Sequence, residues 1–256
     1  MRILSNTARP RPWSIRLHSA KARQVLWKGI LMSSSSTPEG PGSVSGAPNL
    51  PAGLTGTFTS RYVDTGELRL HAVTGGEGPP LLLVHGWPQT WYAWRMLMPA
   101  LARDFSVVAV DQRGIGLSGK PQGGYDTATL AGDLVALMDA LGHPRFAVVG
   151  HDTGMWVGYA LAADPDALRG SFAVYRALDA TIAQNERRKE RRLTLPVLGI
   201  GGAQGIGEGA ANTMKLAADD VQSVVIPGCG HYCREEAPEE VVAALTAFLA
   251  PYRESI

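Results

Sequence analysis

The stretch VVGHDTGMW, residues 148–156, decides the fold of this chain. β-branched residues lead into Gly150-His151-Asp152-Thr153-Gly154, which has the spacing of a G-x-S-x-G turn with an aspartate in the serine position. In such a turn a buried strand breaks sharply into a helix and leaves the middle side chain exposed at the strand end. We therefore expect a strand before this turn, a helix from Thr153, and a carboxylate presented to ligands between them.

Strand and helix patterns alternate around this turn. A hairpin is expected over RYVDTGELRLHAVTG, with its turn at Asp64-Thr65-Gly66. Apolar runs typical of buried strands are PPLLLVHG (79–86), FSVVAVDQRG (105–114), RFAVVGHD (145–152), LPVLGIGG (195–202) and VQSVVIPG (221–228). Helical spacing covers residues 90–104, 125–142, 153–165 and 238–253. The alternation predicts an α/β fold, a mostly parallel sheet flanked by helices.

The alternation fails between the helix after Asp152 and the strand at residue 195. Where another strand is expected, PDALRGSFAVYRALDATIAQNERRKERRLT reads as helix throughout, with a charged second half typical of a solvated face. The chain reads as if an internal block had been lost.

Composition limits the classes of function. The 256 residues are 45% hydrophobic and suit one globular domain, and a net charge of +1 favours neither nucleic acid nor an anionic membrane. The apolar runs are too short to span a bilayer. Two cysteines, Cys229 and Cys233, do not make a disulfide framework, which indicates a reducing, cytoplasmic location. We expect these thiols to be incidental, and His231 alone beside them is too few ligands for a metal site.

Residues 1–58 are expected to be a disordered tail that precedes a domain at 59–256. Residues 1–32 carry seven Arg and Lys residues and no acid, which suits either an organelle-targeting segment or a start codon assigned too early, with Met32 as the true start. The Ser, Pro and Gly that follow are typical of a linker.

A carboxylate at position 152 favours one kind of chemistry. The helix starting at Thr153 directs its dipole and free N–H groups toward Asp152, which stabilises the anion and offers the Thr153 N–H to a developing oxyanion. A carboxylate can displace a leaving group from an sp³ carbon and form an alkyl ester, which water then cleaves with the help of a general base. This predicts cleavage of a carbon–oxygen or carbon–halogen bond.

His231 is the expected base, because it lies in a glycine-rich loop between the last strand and the closing helix and titrates near neutrality. The alternative is a surface histidine without a role. The HGWP turn, which includes Gly86 and Pro88, is expected to aim the Trp87 N–H at the same point as the Thr153 N–H, with His85 supporting the loop. We interpret His151 as structural.

Together HGWPQTWYAWR, VVAVDQRGIGLSGKP, VVGHDTGMWVGYALAAD and VVIPGCGHYCREEAPEE resemble the α/β-hydrolase superfamily, specifically its epoxide hydrolase-like branch. The resemblance covers residues 60–255 and implies an eight-stranded, mostly parallel sheet under a helical cap. It implies Asp152 as nucleophile, His231 as base, and Trp87 and Thr153 as oxyanion donors. Tyr175, in FAVYR, matches the cap tyrosine that protonates the epoxide oxygen.

Dehalogenases of the same superfamily are a further alternative. Haloalkane dehalogenases usually place Trp directly after the nucleophile, and fluoroacetate dehalogenases place arginines just after it. This chain has Thr153, Met155 and Trp156 in those places.

The chain also departs from the family. A core strand and most of the cap are missing, and only remnant cap helices are expected, at about 165–194. The acid that orients His231 is expected after either the missing strand or LPVLGIGG. Counted from LPVLGIGG, its place falls on Gly205, and Glu208 is the nearest carboxylate, although it also suits a helix N-terminus. Loss of that acid costs on the order of 10⁴ in rate in a serine triad, the worked example of this effect.

Two hypotheses follow. The first is an epoxide hydrolase-like enzyme with a reduced lid that acts on a small apolar organic substrate. The second is an inactive scaffold, a ligand-binding protein or a deletion product. No metal or other cofactor is expected, and a homodimer is left open.

Overall fold

The computed structural model describes residues 50–51, 53–163, 185 and 192–253. The strands are β1 (Phe58–Asp64), β2 (Arg69–Gly75), β3 (Pro80–Val84), β4 (Ser106–Asp111), β5 (Ala147–Gly150), β6 (Val197–Gly202) and β7 (Val221–Ile226). The helices are α1 (Met98–Leu101), α2 (Thr127–Ala140), α3 (Thr153–Ala163), α4 (Gly209–Lys215), α5 (Cys233–Glu236) and α6 (Pro238–Arg253), with a 3₁₀ helix at Trp91–Trp94.

Five strands form a mixed sheet in the order β1-β2-β4-β3-β5. The predicted hairpin joins β1 and β2, with Asp64 opposite Arg69. β3 pairs in parallel with β4 on one side and with β5 on the other. Because Val84 lies opposite Gly150, the HGWP turn and the turn at Asp152 leave the same edge of the sheet side by side.

β6 and β7 form a second, parallel sheet. Gly202 lies opposite Ile226, so the segment that holds Gly205 runs beside the loop that holds His231. The chain therefore brings these two loops together at the ends of paired strands.

The sheet is interrupted between β5 and β6. Among the described residues, β5 pairs only with β3, and all four of its residues are half-buried, whereas four of the five residues of β3 are buried. The resemblance implied eight strands, and the described part of the chain has seven in two sheets. The strand that the sequence analysis expected to be missing would lie between β5 and β6, and most of the intervening residues lie outside the described part of the chain.

Side chains from alternate positions of the five-stranded sheet feed two apolar cores. Leu81 and Leu83 of β3 face one core, and Leu82 and Val84 face the other. The first core also contains α6 through Val241, Leu245 and Leu249, together with half-buried residues of β5, β6 and β7. The second core packs against α2 and α3. Helix α6 thus bridges the interrupted sheet by apolar contacts instead of strand pairing.

The helix expected over residues 90–104 is divided. Residues 90–104 do not form one helix but a 3₁₀ helix and a single turn of α-helix around Pro99. Proline favours the first turn of a helix, so the α-helix begins there rather than at Thr90.

The ordered domain begins before residue 59. Leu50 and Leu54 are 6% exposed and pack in the first core with Phe58, because three apolar side chains give this part of the expected linker enough surface to bury. The remainder of the expected tail, residues 1–49, lies outside the described residues. So do the expected cap helices, apart from Asn185, which is helical, and residues 192–194.

Leu193 packs beside the second sheet, against Val197 and Val221, rather than in a cap. It is buried and forms an isolated parallel bridge with Ala218.

Asp111, at the end of β4, ties the first sheet to the turns above it. Its carboxylate lies 2.8 Å from His71 Nδ1 and accepts hydrogen bonds from the backbone N–H groups of Trp91 at 2.8 Å and Leu117 at 2.9 Å. Burial raises the pKa of Asp111, but these hydrogen bonds more than offset it and hold the pKa below its ordinary value.

We expect Asp111→Asn to lower the free energy of unfolding by about 3 kcal/mol, because buried donors lose an ionised acceptor. A carboxylate whose pKa is lowered by folding contributes fully to the free energy of unfolding above about pH 4. That contribution is lost as the pH falls through the pKa of the carboxylate in the folded state. Urea titrations of wild type between pH 7 and pH 3 should therefore show an acid-dependent loss that the variant lacks. Asp139→Asn, at an exposed position of α2, is the control and should stay within about 0.5 kcal/mol. An equal pH dependence in the Asp111 variant would contradict this account.

Candidate active site

The turn between β5 and α3 holds Asp152 in a strained backbone conformation. Its φ is 55°, and it is the one non-glycine residue with positive φ in the described part of the chain. A Cβ atom on Gly154 would lie 2.3 Å from the Val84 carbonyl oxygen, and one on Gly86 would lie 2.5 Å from Asp152 Cβ. The strand ends can approach this closely only because both positions are glycine. The predicted strand, turn and helix are all present.

The two carboxylate oxygens of Asp152 have different neighbours. Oδ1 accepts a hydrogen bond from the Trp87 backbone N–H at 3.2 Å. Oδ2 faces His231 Nε2 at 3.5 Å. One oxygen is therefore held by a backbone donor, and the other is directed toward the imidazole.

The HGWP turn is fixed by His85, which is completely buried. His85 Nε2 accepts the Gln112 backbone N–H at 3.2 Å, so its proton is on Nδ1, which lies 2.8 Å from the Gly86 carbonyl oxygen. Burial lowers the pKa of His85 and keeps the imidazole neutral. The Trp87–Pro88 peptide is cis. These contacts hold the Trp87 N–H in place beside Asp152.

Thr153 is the first residue of α3 and is 6% exposed. Its backbone N–H belongs to the first turn of the helix, where N–H groups have no partner within the helix. The position fits a second donor near Asp152.

Glu236, which the sequence analysis did not single out, holds the His231 loop. Its carboxylate accepts the backbone N–H groups of Gly230 at 2.7 Å and Tyr232 at 2.9 Å, one on each side of His231. These bonds lower the pKa of Glu236. Its position five residues after the histidine, at the end of a short helix, was the available sequence signal.

His151 joins the two loops of the site. It donates from Nε2 to the His231 carbonyl oxygen at 2.9 Å, and the two imidazole rings lie 4.7 Å apart. Burial, with help from the positive charge of Arg234, lowers the pKa of His151 to about 4, so it stays neutral and keeps this tautomer at pH 7. The structural interpretation of His151 fits these contacts.

Arg234 is a second residue that the sequence analysis did not single out. It is 2% exposed, hydrogen-bonds Gln89 and lies over the Trp94 ring at 5.2 Å. Burial lowers the pKa of Arg234, and the negative charges of Glu235 and, to a smaller extent, Asp152 counteract this effect. Arg234 is therefore a buried positive charge that interacts with Asp152.

The structure corrects the expectation for Glu208. Glu208 precedes α4 and its carboxylate accepts a hydrogen bond from the Ser223 hydroxyl at 2.7 Å. No hydrogen bond or ion pair joins it to His231 in the described part of the chain, because the α4 turn places it beside β7. A Cβ atom on Gly205, in contrast, would lie 3.3 Å from the His231 backbone nitrogen and only 2.9 Å from the Gly230 carbonyl oxygen. The position from which an acid could reach this loop therefore carries no side chain.

The site is open to solvent. The side chain of Asp152 is 27% exposed and that of His231 is 52% exposed. Tyr175 lies outside the described residues, so its place relative to Asp152 is not described. Within the described ranges, no group of three or more His, Cys, Asp or Glu side chains is arranged to hold a metal ion, and no helix is both long and apolar enough to cross a membrane.

Comparison with known proteins gives consistent results. Residues 79–172 match the α/β hydrolase fold family. The soluble epoxide hydrolase of Corynebacterium sp. (strain C12) is 50% identical over 96 residues, which are 38% of this chain and 34% of that protein. The fluoroacetate dehalogenase of Burkholderia sp. is 44% identical over 117 residues, or 43% and 38% of the two chains.

The chain thus spans about a third of the length of the curated relatives it matches. The solved structure of the epoxide hydrolase CorEH without ligand matches 77% of this chain and 100% of its own, with a TM-score of 0.67 and 27% identity. The chain therefore has an α/β-hydrolase fold, and over part of its length it is similar to epoxide hydrolases.

Proposed function

We propose that this chain hydrolyses small apolar epoxides to diols, with Asp152 as nucleophile and His231 as general base. The observation that carries the proposal is that the two carboxylate oxygens of Asp152 have different neighbours. Oδ1 accepts the Trp87 N–H, and Oδ2 faces His231. A carboxylate held in this way has one oxygen placed for charge stabilisation and one free to attack.

In the first step, Oδ2 of Asp152 attacks an epoxide carbon and the carbon–oxygen bond of the ring breaks. The product is an alkyl ester on Asp152 and an alkoxide, which takes a proton to become a hydroxyl group. The family resemblance suggests the Tyr175 phenol as the proton source.

In the second step, His231 takes a proton from water and the resulting hydroxide attacks Cγ of the ester. The negative charge develops on Oδ1, where the Trp87 and Thr153 N–H groups stabilise it. The tetrahedral intermediate then collapses and the Cγ–Oδ2 bond breaks. Oδ2 leaves as part of the diol, which takes the proton from His231. One oxygen of the regenerated carboxylate therefore comes from water.

The first prediction concerns the ester. We expect His231→Gln to form it and fail to cleave it, so that incubation with styrene oxide leaves a covalent adduct on Asp152, detected by mass spectrometry of peptides. Wild type and His143→Gln, a histidine change outside the site, should accumulate no adduct, and Asp152→Ala should form none. Modification of another residue with Asp152 untouched would remove Asp152 from the mechanism.

The second prediction concerns the missing acid. A side chain at position 205 would lie against the His231 loop, and the Gly230 carbonyl, 2.9 Å from its Cβ atom, must shift slightly to admit it. Gly205→Asp should then supply a carboxylate that orients and stabilises the protonated imidazole. We expect styrene oxide hydrolysis to rise by at least about tenfold, a fraction of the roughly 10⁴ that an orienting acid contributes in a serine triad. Gly205→Asn has the same shape without the charge and should give no such gain. Equal rates for both variants would show that position 205 does not serve His231.

The interrupted sheet favours a second candidate, an inactive scaffold or deletion product that retains at most ligand binding. An open edge on β5 leaves backbone groups without strand partners in the described part of the chain, which weakens cooperative packing.

Thermal unfolding separates the two candidates. If the chain is an enzyme, far- and near-ultraviolet circular dichroism of the full chain should lose signal in one coincident transition. A near-ultraviolet signal that is absent or lost well before the far-ultraviolet signal would favour the scaffold.

Dehalogenation is the remaining alternative, because a fluoroacetate dehalogenase is among the relatives. The positions after the nucleophile do not favour it, since Thr153, Met155 and Trp156 offer no arginine for a substrate carboxylate.

We propose that the substrate is a small apolar organic molecule. We also propose a reducing, cytoplasmic location, which suits two free thiols.

A further inference from the structure

Cys229 and Cys233, expected from the sequence to be incidental, stand on either side of His231 as free thiols. Cys229 is 1% exposed, and Cys233 is half-buried at the start of α5. The two residues therefore bracket the loop that carries the proposed base.

The two sulfur atoms converge on one backbone group. Cys233 Sγ lies 3.4 Å and Cys229 Sγ lies 3.8 Å from the Gly230 carbonyl oxygen. Burial, together with a hydrogen bond to the Cys233 thiol, raises the pKa of Cys229 to about 12. Cys229 is therefore a protonated thiol in contact with Cys233, and Cys233 is the sulfur that solvent reaches first.

We propose that Cys229 and Cys233 form an oxidisable dithiol, a modification site at which a hydroperoxide converts the pair to a disulfide across His231. The sulfur atoms are already neighbours, so the reaction needs no separate resolving cysteine from elsewhere in the chain.

The reaction balances in two steps. The Cys233 thiolate attacks the terminal oxygen of the hydroperoxide, the O–O bond breaks, and an alcohol or water leaves with a proton, giving a sulfenic acid. Cys229 sulfur then attacks Cys233 sulfur, the S–O bond breaks, and water leaves with the Cys229 proton. The two thiols lose two protons and two electrons, and the hydroperoxide is reduced.

The disulfide would displace the base, a consequence that rests on the proposed function. Closing the S–S bond to about 2.05 Å requires the two ends of the loop to move together. His231 Nε2 now lies 3.5 Å from Asp152 Oδ2, and a misplacement of about 1 Å can cost on the order of 10²-fold in rate. Oxidation should therefore lower hydrolysis, and a dithiol reductant should restore it.

The test uses the full chain titrated with hydrogen peroxide, quenched with N-ethylmaleimide and examined by peptide mass spectrometry. We expect wild type to lose two hydrogen atoms in the peptide that holds both cysteines and to resist alkylation until dithiothreitol is added. Cys229→Ser should stop at a sulfenic acid on Cys233 that dimedone traps, and Cys233→Ser should stay unoxidised. Styrene oxide hydrolysis by oxidised wild type should fall by at least about tenfold and recover with dithiothreitol.

Each other outcome counts against the proposal. Alkylation of both thiols after peroxide treatment, or sulfinic acid without a disulfide, would overturn the modification site. A disulfide that leaves hydrolysis unchanged would overturn its link to His231. If the reduced chain shows no hydrolysis, the proposed function fails, while the mass measurement still decides whether the disulfide forms.

Discussion

The approach of three backbone segments around Asp152 is the contact on which the site depends. The end of β3, the Gly86 turn and the start of α3 meet where a Cβ atom on Gly86 would lie 2.5 Å from Asp152 Cβ. This packing holds Asp152 at a φ of 55°, a conformation that side chains other than glycine rarely adopt. The strained turn lifts the carboxylate out of the sheet and sets one oxygen against the Trp87 N–H. Strain of this kind persists only when surrounding structure enforces it, and here the neighbouring strand does so.

The pair Asp152 and His231 spans the interruption in the sheet. Asp152 follows a strand of the five-stranded sheet, and His231 follows the last strand of the two-stranded sheet. Within the described ranges, contacts other than strand pairing join the two loops. His151 binds the His231 carbonyl, Arg234 binds Gln89, and α6 packs in the core that both sheets share.

These contacts differ in strength. Apolar burial along α6 supplies most of the free energy that holds the sheets together, because hydrogen bonds between groups that are hydrated when unfolded contribute little net. The hydrogen bonds of His151 and Glu236 instead fix the orientation of the His231 loop. These hydrogen bonds hold the backbone of the His231 loop in place, although Gly205 offers the imidazole no carboxylate.

The sequence by itself determined the α/β pattern, the turn at Asp152 and the position of His231 in the last loop, because strand periodicity and glycine placement are local properties. It also predicts that a strand is missing after the Asp152 helix, since the alternation of strand and helix patterns fails there. It did not reveal Glu236 or Arg234, or that Cys229 and Cys233 converge on one carbonyl oxygen. Only the tertiary structure decided these points, and only it showed that Glu208 accepts a hydrogen bond from Ser223. These contacts depend on how β6 and β7 pair and on which loops that pairing brings together.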